Sequence, residues 1–115
     1  MKMDMTCIDI SIEDLLGCSF GLSRREVSIL LRMLDAGGWM PVSTLAARSR
    51  RDRSVVQRGL ASLMERGLVM RDHRNRARGG YEFIYRAADK GKIRKAVLEK
   101  SARFSSMVEG RVRDW

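Results

Sequence analysis

The sequence contains few of the residues on which catalysis and metal binding usually depend. Among its 115 residues there are one histidine, two cysteines and one proline. The cysteines, Cys7 and Cys18, lack the four-ligand spacing of a zinc site. No Ser/His/Asp set, glycine-rich phosphate loop or pair of catalytic carboxylates can be assembled. We therefore expect a protein that is not an enzyme and that uses no metal or other cofactor.

The rare cysteines and histidine allow simple interpretations. Reduced, partly buried thiols are the usual state of cysteine in an intracellular chain. If the N-terminal segment brings Cys7 and Cys18 together, they could instead form a redox switch. His73 falls on a predicted strand, where a lone histidine is more often structural or solvated than a ligand.

Long apolar runs and a targeting sequence are also missing. No stretch approaches the roughly 18–20 apolar residues that a membrane helix needs, and the N-terminus lacks the basic and apolar regions of a signal peptide. We therefore expect a cytoplasmic protein with no membrane partner. Hydrophobic residues make up 44% of the chain, which suffices for one domain with a real core.

Lysine is absent from the most strongly charged third of the chain. Residues 48–86 contain 11 Arg and 4 acidic residues, a net charge of +7, whereas residues 1–47 carry −2 and residues 87–115 carry +4. Arginine binds phosphate and guanine through two parallel hydrogen bonds, which lysine does not. This pattern predicts nucleic-acid binding; a generally basic, solvated surface is the alternative.

A helix over Asp52–Arg66 is the element around which this charge is arranged. Asp52 is suited to cap it, because its carboxylate can accept hydrogen bonds from the amides of the first turn. Gly67 suits the left-handed residue that follows a helix. Gly59, inside the helix, allows either a close approach of another helix or of DNA, or is merely tolerated.

The two faces of this helix differ sharply. Val56, Leu60 and Leu63 share one face, as expected of residues that point to a core. The other face carries hydrogen-bond donors and guanidinium groups that we expect to point to solvent: Arg53, Ser54, Gln57, Arg58 and Ser62.

Two capping signals start helices earlier in the chain. Ser11 with Asp14 predicts a short helix through Leu15–Leu16. Ser23 and Glu26 form a capping box and open a longer helix. Its predicted inner face comprises Val27, Leu30, Leu31 and Leu34.

A short connection leads from there to the helix over Asp52–Arg66. Residues 39–42 follow Gly37–Gly38 and are extended, so they could pair with a later hairpin. Ser43 can cap a short helix over Thr44–Ala47. Residues 48–51 then form the turn of a helix-turn-helix, the arrangement that fits the major groove.

Two predicted strands, Leu68–Arg74 and Tyr81–Arg86, surround a tip rich in Arg and Gly. The alternation of Tyr81, Phe83 and Tyr85 is typical of a half-buried strand. Positive charges packed this closely repel one another unless an anion is near. We therefore expect the arginines around the tip to bind phosphates or to enter the minor groove of DNA. A solvated flexible loop is the alternative. The residues are Arg74, Arg76 and Arg78.

A final helix is predicted from Asp89, its cap, through Trp115. Its apolar residues lie three or four apart, in a seam close to the heptad spacing. We favour pairing of this seam with a second copy over packing against the N-terminal segment, because dimers match palindromic operators. The expected dimer contacts are Ile93, Val97, Phe104, Val108 and Trp115.

The runs GLSRREVSILLRML and VSTLAARSRRDRSVVQRGLASLMERGLV, then an Arg-rich loop and YEFIYRA, resemble archaeal winged helix-turn-helix regulators of the TrmB and MarR type. The similarity covers about residues 20–100 and is most specific over residues 63–69. It implies a homodimer that binds operator DNA with the helix over Asp52–Arg66 in the major groove and the wing beside it. Sugar-sensing TrmB members carry a large C-terminal effector domain, which these 115 residues do not include. A small-molecule effector is therefore left unassigned.

These features predict an α+β, mainly α fold: a winged helix-turn-helix with a C-terminal dimerisation helix. We divide the chain into an N-terminal segment with a short helix (1–22), a DNA-binding domain (23–87) and the C-terminal helix (88–115). The expected function is sequence-specific binding of double-stranded DNA to regulate transcription. The expected DNA contacts are Arg50, Arg51, Arg53, Ser54, Gln57, Arg58, Ser62, Arg74, Arg76 and Arg78.

Other uses of the same fold stay open. A protein-interaction module would bind through the C-terminal seam, and a chromatin protein would bind nucleic acid without selectivity. An RNA-binding protein would offer aromatic rings for base stacking. We expect Tyr81, Phe83 and Tyr85 to be committed to the sheet instead, which argues against RNA. The sequence identifies neither the operator nor the direction of regulation.

Overall fold

The computed structural model describes residues 9–115, which form five helices and three strands. Cys7 lies outside the described residues. The mainly helical winged helix-turn-helix and the long C-terminal helix predicted above are confirmed. The helices are α1 (Ile12–Phe20), α2 (Arg24–Ala36), α3 (Val42–Ser49), α4 (Arg53–Glu65) and α5 (Lys90–Asp114), and the strands are β1 (Met40–Pro41), β2 (Val69–Asn75) and β3 (Tyr81–Ala87).

The three strands form one antiparallel sheet in the order β1-β3-β2. Met40 pairs with Tyr85 and Pro41 with Ile84, which confirms the expected pairing of this short segment with the hairpin. β2 and β3 pair continuously, from Val69 opposite Ala87 to Asn75 opposite Tyr81. We call the β2–β3 hairpin the wing.

The core lies between the sheet and helices α2, α3 and α4. The predicted inner face of α4 is confirmed, because Val56, Leu60 and Leu63 are at most 1% exposed. On α2 the buried residues are Val27, Ile29, Leu30 and Met33, whereas Leu31 and Leu34 are only half-buried. All four predicted residues are therefore buried or packed against the core, and the prediction missed Ile29, which faces α4 at Gly59, and Met33.

Helices α2 and α4 approach each other closely at Gly59. A Cβ atom added to Gly59 would lie 2.7 Å from Cδ1 of Ile29, a side chain that is 0% exposed. Glycine removes that clash. Of the interpretations open for Gly59, the structure supports close approach of another helix.

The residues at the starts of α1, α2 and α4 can be compared with the capping residues predicted from the sequence. The Ser11 hydroxyl accepts from the Asp14 amide, and the full capping box of Ser23 and Glu26 is present. Asp52 occupies the predicted N-cap of α4, but the expectation that its carboxylate accepts a hydrogen bond from a first-turn amide was wrong, since no such bond is formed.

The predicted cap of α3 was also wrong. The helix starts at Val42, one residue before Ser43, and extends to Ser49. Pro41, whose ring fixes φ near −76°, supplies the extended residue before the helix. Pairing of Pro41 in the sheet therefore sets this boundary, which a capping pattern does not reveal.

Helix α5 is divided into two halves by its surroundings. Ile93 is 5% exposed and Val97 packs against the core, so the first half belongs to the winged domain and touches α1. Beyond Lys100 the helix projects into solvent, with Phe104 64% and Val112 63% exposed. Packing against the N-terminal segment, the less favoured expectation, therefore holds for the first half only.

None of the helices within residues 9–115 has the length and apolar character needed to cross a bilayer.

The close crossing of α2 and α4 yields a stability prediction. Gly59→Ala gains about 1 kcal/mol of helix propensity but overpacks the core at a cost of about 1–3 kcal/mol, so we expect net destabilisation near 1 kcal/mol. Ile29→Val removes Cδ1, so the double variant should be less destabilised than the two single variants summed. Urea unfolding of the four proteins measures this.

Gly110→Ala provides the matched control, because no atom lies within 4 Å of the Cβ it would gain in α5. We expect it to be neutral or stabilising. Equal stabilisation by Gly59→Ala and Gly110→Ala would contradict the close crossing.

Candidate nucleic-acid interface

The outer face of α4 is a polar surface that faces away from the core. Ser54, Gln57, Arg58 and Ala61 line a shallow depression there, since residues spaced by three, four and seven positions share one side of a helix. All four are exposed, as is Arg53 in the first turn. The depression thus brings together three of the expected site residues on α4 and adds Ala61, which sequence reasoning missed despite its spacing of seven from Ser54.

Ser62, the fifth expected site residue on α4, lies elsewhere. Its hydroxyl accepts a 2.7 Å hydrogen bond from Arg66, whose Nε donates to the carbonyl of Phe20 at 2.7 Å. Arg66 therefore joins the end of α4 to the end of α1. Ser62 is part of this junction, on a flank of α4 rather than in its outer depression.

The same junction includes Glu26. Burial alone would raise the pKa of Glu26, but hydrogen bonds from Ser62 and Ser23 and the charge of Arg66 lower it below its ordinary value. The carboxylate therefore stays ionised and bound to its neighbours. The capping-box pattern in the sequence predicts the hydrogen bond between Glu26 and Ser23. It cannot predict the bond between Glu26 and Ser62, because Ser62 belongs to a different helix, α4.

The turn between α3 and α4 presents Arg50 and Arg51. Arg50 has a φ of 52°, a left-handed conformation, and its amide hydrogen-bonds to Ala46 and Ala47 at the end of α3. Arg51 shares a shallow notch with Ser23, Arg24 and Arg25 at the start of α2. Arg24 and Arg25 are exposed cations that the sequence reasoning did not assign to the site. Because they directly follow the capping residue Ser23, the sequence already placed both arginines in the exposed first turn of α2.

In the wing, a carboxylate lies between two of the expected arginines. Glu82 accepts from Arg74 Nε at 2.8 Å through one oxygen and contacts Arg76 at 3.4 Å through the other. The Glu82 carboxylate thus supplies, within the wing itself, the anion that offsets the repulsion between these arginines. Arg78 is exposed at the tip and forms no ion pair within residues 9–115.

This arrangement shifts the titration of Glu82. The hydrogen bond from Arg74 is the main cause of a pKa below the ordinary value, with the charges of Arg74 and Arg76 contributing further and partial burial opposing them. As the pH falls through this lowered pKa, the carboxylate protonates and both ion pairs are lost. Above it, the three side chains form one fixed cluster.

The aromatic residues of β3 depart from the sequence prediction. Tyr85 is buried at 6% exposure, but Tyr81 is 58% and Phe83 40% exposed. The wing extends beyond the helical core, so only the base of the strand is covered. The expectation that all three rings are committed to the sheet was therefore wrong for Tyr81 and Phe83.

The residues with potential metal or redox chemistry are scattered. In the part of the chain that the structure describes, no three His, Cys, Asp or Glu side chains come together to hold a metal ion. Cys18 is exposed on α1, so the expectation of a partly buried thiol was wrong for it. His73 is exposed on the wing beside Tyr81.

This chain matches one family model and is similar to curated proteins. The family model described as "Sugar-specific transcriptional regulator TrmB" matches residues 16–90. The uncharacterized protein MJ1503 of Methanocaldococcus jannaschii is 36% identical over 81 residues, which cover 70% of this chain and 61% of that protein. The chain thus spans about three fifths of the length of this relative.

Comparison with solved structures gives the same fold. A possible transcriptional regulator from Methanosarcina mazei Go1 has a TM-score of 0.84 at 24% identity, covering 98% of this chain and 95% of that one. Sco5413, a MarR family transcriptional regulator from Streptomyces coelicolor, has a TM-score of 0.54 at 21% identity, covering 85% of this chain and 65% of that one. At these identities the likeness concerns the fold alone.

The cluster around Glu82 yields a prediction about its titration. Arg74→Ala should raise the pKa of Glu82 toward its ordinary value, because it removes the main hydrogen bond. Arg76→Ala should raise the pKa less, since its contact is longer. An NMR titration of the Glu82 carboxyl carbon measures both. Arg78→Ala is the control and should leave the pKa unchanged; a larger effect from Arg78 than from Arg74 would refute the described cluster.

Proposed function

This chain belongs to the TrmB family of transcriptional regulators, and on that premise we propose that it recognises a specific sequence in duplex DNA as a homodimer. Helix α4 enters the major groove, and the wing lies against the adjacent minor groove or the phosphate backbone. The family implies a DNA-binding regulator rather than an enzyme. The sugar in the family description is not part of the proposal, because the matched residues are mainly those of the winged helix.

The observation that carries this proposal is the exposed polar face of α4 opposite its buried face. A helix about 10–12 Å wide fits the major groove, which is about 12 Å wide. Arg53 and Arg58 can donate two hydrogen bonds to guanine, and Gln57 can bond adenine through both amide groups. Ala61 is suited to contact a thymine methyl group.

The surrounding arginines would position the helix on the duplex. Arg50 and Arg51 in the turn, with Arg24 and Arg25 at the start of α2, can bind phosphates on one side of the groove. Arg78, and Arg74 and Arg76 within their cluster, can bind on the other side. We leave Ser62 out of the proposed contacts because it is engaged by Arg66.

The proposed dimer uses the projecting half of α5. Phe104, Val108 and Trp115 are 64%, 44% and 103% exposed on a helix that the winged domain does not cover. Pairing with a second copy would bury them. Ile93 and Val97 are left out of the proposed interface, because they pack within their own domain. Two linked heads predict half-sites 10–10.5 bp apart or a multiple of this spacing.

Selection from random duplex DNA at two salt concentrations tests the proposed recognition. We expect a palindromic motif to be enriched. Gln57→Ala should relax preference at one position of each half-site. Arg78→Ala should instead weaken binding to all sequences, with a salt slope smaller by about one per wing. Arg32→Ala, a charge-matched change on the exposed side of α2, should do neither.

The other outcomes of the selection separate the competing functions. Strong binding without enrichment at either salt concentration would indicate an architectural or chromatin protein. Absence of binding at low salt would indicate a protein-interaction module and would refute the proposed function.

The proposed dimer is tested by placing charge on α5. Phe104→Asp should convert the dimer to a monomer in analytical ultracentrifugation, because a buried unpaired carboxylate is costly. It should lower affinity for the full palindrome at least tenfold but leave affinity for a single half-site unchanged. Ser106→Asp, on another side of the same helix, is the control and should preserve the dimer. A dimer that survives Phe104→Asp and Val108→Asp together would refute this interface.

A further inference from the structure

The wing has a second surface that the proposed duplex contacts do not use. It consists of Arg71, His73, Tyr81 and Phe83, which we call the aromatic wing face. We propose that this face stacks on unpaired bases of a DNA strand, next to the duplex that α4 engages. The proposal goes beyond the function proposed above, which concerns paired DNA.

The four side chains of the aromatic wing face form a continuous row. The guanidinium carbon of Arg71 lies 4.4 Å from the ring centre of Phe83. The ring centres of Phe83 and Tyr81 are 5.5 Å apart, and those of Tyr81 and His73 are 5.4 Å apart. The ring planes meet at 77° and 65°, so no two rings stack flat on each other. Arg71 covers one side of the Phe83 ring, but Tyr81 is 58% and Phe83 40% exposed, so ring surface remains for another planar group.

The register of the hairpin separates this row from the arginine cluster. His73 is directly opposite Phe83, whereas Arg74 is directly opposite Glu82. Because successive side chains of a strand point to opposite sides of a sheet, these two pairs lie on opposite faces. The wing can therefore offer one face to phosphates and the other to bases.

Charge and shape together favour a nucleic-acid strand as the occupant. Arg71 adds a cation to the exposed rings, and the segment of residues 48–86 carries a net charge of +7. Exposed aromatic rings beside cations are the usual surface for single-stranded nucleic acid, because every base has a flat face. Asp72, whose carboxylate accepts from the His73 amide, is the one acidic side chain of strand β2.

Unpaired rather than paired bases suit this face. In a duplex the flat surfaces of the bases are covered by their neighbours, so rings can stack only where a strand is open. β2 follows α4 after a short turn, which keeps the wing beside the DNA that α4 would hold. The open strand would then belong to the same DNA molecule.

Fluorescence anisotropy with three DNAs tests the proposal in the full chain. These are a blunt duplex, the same duplex with a single-stranded DNA tail, and the same duplex with an RNA tail. We expect the DNA tail to raise affinity about tenfold, the gain typical of stacking on one or two bases. Tyr81→Leu and Phe83→Leu should abolish this gain and leave blunt-duplex affinity unchanged, because leucine keeps the apolar surface but removes the ring.

Two controls separate ring stacking from other effects. Tyr81→Trp retains a ring and should keep the gain. Met70→Leu changes an exposed apolar residue on the opposite face of β2 and should also keep it. Thermal unfolding followed by circular dichroism verifies that each variant is folded.

Three results would overturn the proposal. These are equal affinity of the wild type for tailed and blunt DNA, a gain that survives both leucine variants, and a gain from the RNA tail that equals or exceeds the gain from DNA. The blunt duplex alone reports on the function proposed above, so failure of that function and failure of this inference are distinguishable.

Discussion

The close crossing of α2 and α4 at Gly59 determines which way the outer face of α4 points. Because Gly59 has no side chain, α4 settles directly against Ile29 and presents its buried face to the core. The depression formed by Ser54, Gln57, Arg58 and Ala61 then faces away from the domain. A larger residue at this position would clash with Ile29 and strain the contact between the two helices.

The positions of Glu26 and Glu82 leave the arginines on the outer face of α4 without a carboxylate partner among the described residues. Glu26 is used at the junction of α1, α2 and α4, and Glu82 is used to hold Arg74 and Arg76 on the wing. The arginines of the outer face of α4 and of the turn before it make no ion pair within residues 9–115. These cations are therefore available to a polyanion without first breaking an internal contact.

Much of the fold follows from sequence patterns that act locally. The capping box of Ser23 and Glu26, the glycines that end helices, and the three-four spacing of Val56, Leu60 and Leu63 depend on neighbouring residues alone. The outer face of α4 follows from the same spacing, because a helix with one buried face must expose the other.

Features that depend on contacts between distant elements could not be predicted in this way. The role of Ser62 depends on Arg66 reaching α1, and the exposure of Tyr81 depends on how far the wing extends past the core. Val97 and Phe104 belong to one seam in sequence, yet only the first is covered. In each case the surroundings of a residue depend on an element that is distant in sequence, which the periodicity of one helix or strand does not reveal.

Methylation interference on the selected DNA site tests the central claim most directly. Dimethyl sulfate modifies guanine in the major groove and adenine in the minor groove, so it reports which groove each element occupies. We expect guanine methylation to block binding at the centres of two half-sites. Adenine methylation blocks binding at the flanks if the wings enter the minor groove, and has no effect there if they contact the backbone. Interference by adenine methylation alone, or by neither modification, would contradict insertion of α4 into the major groove.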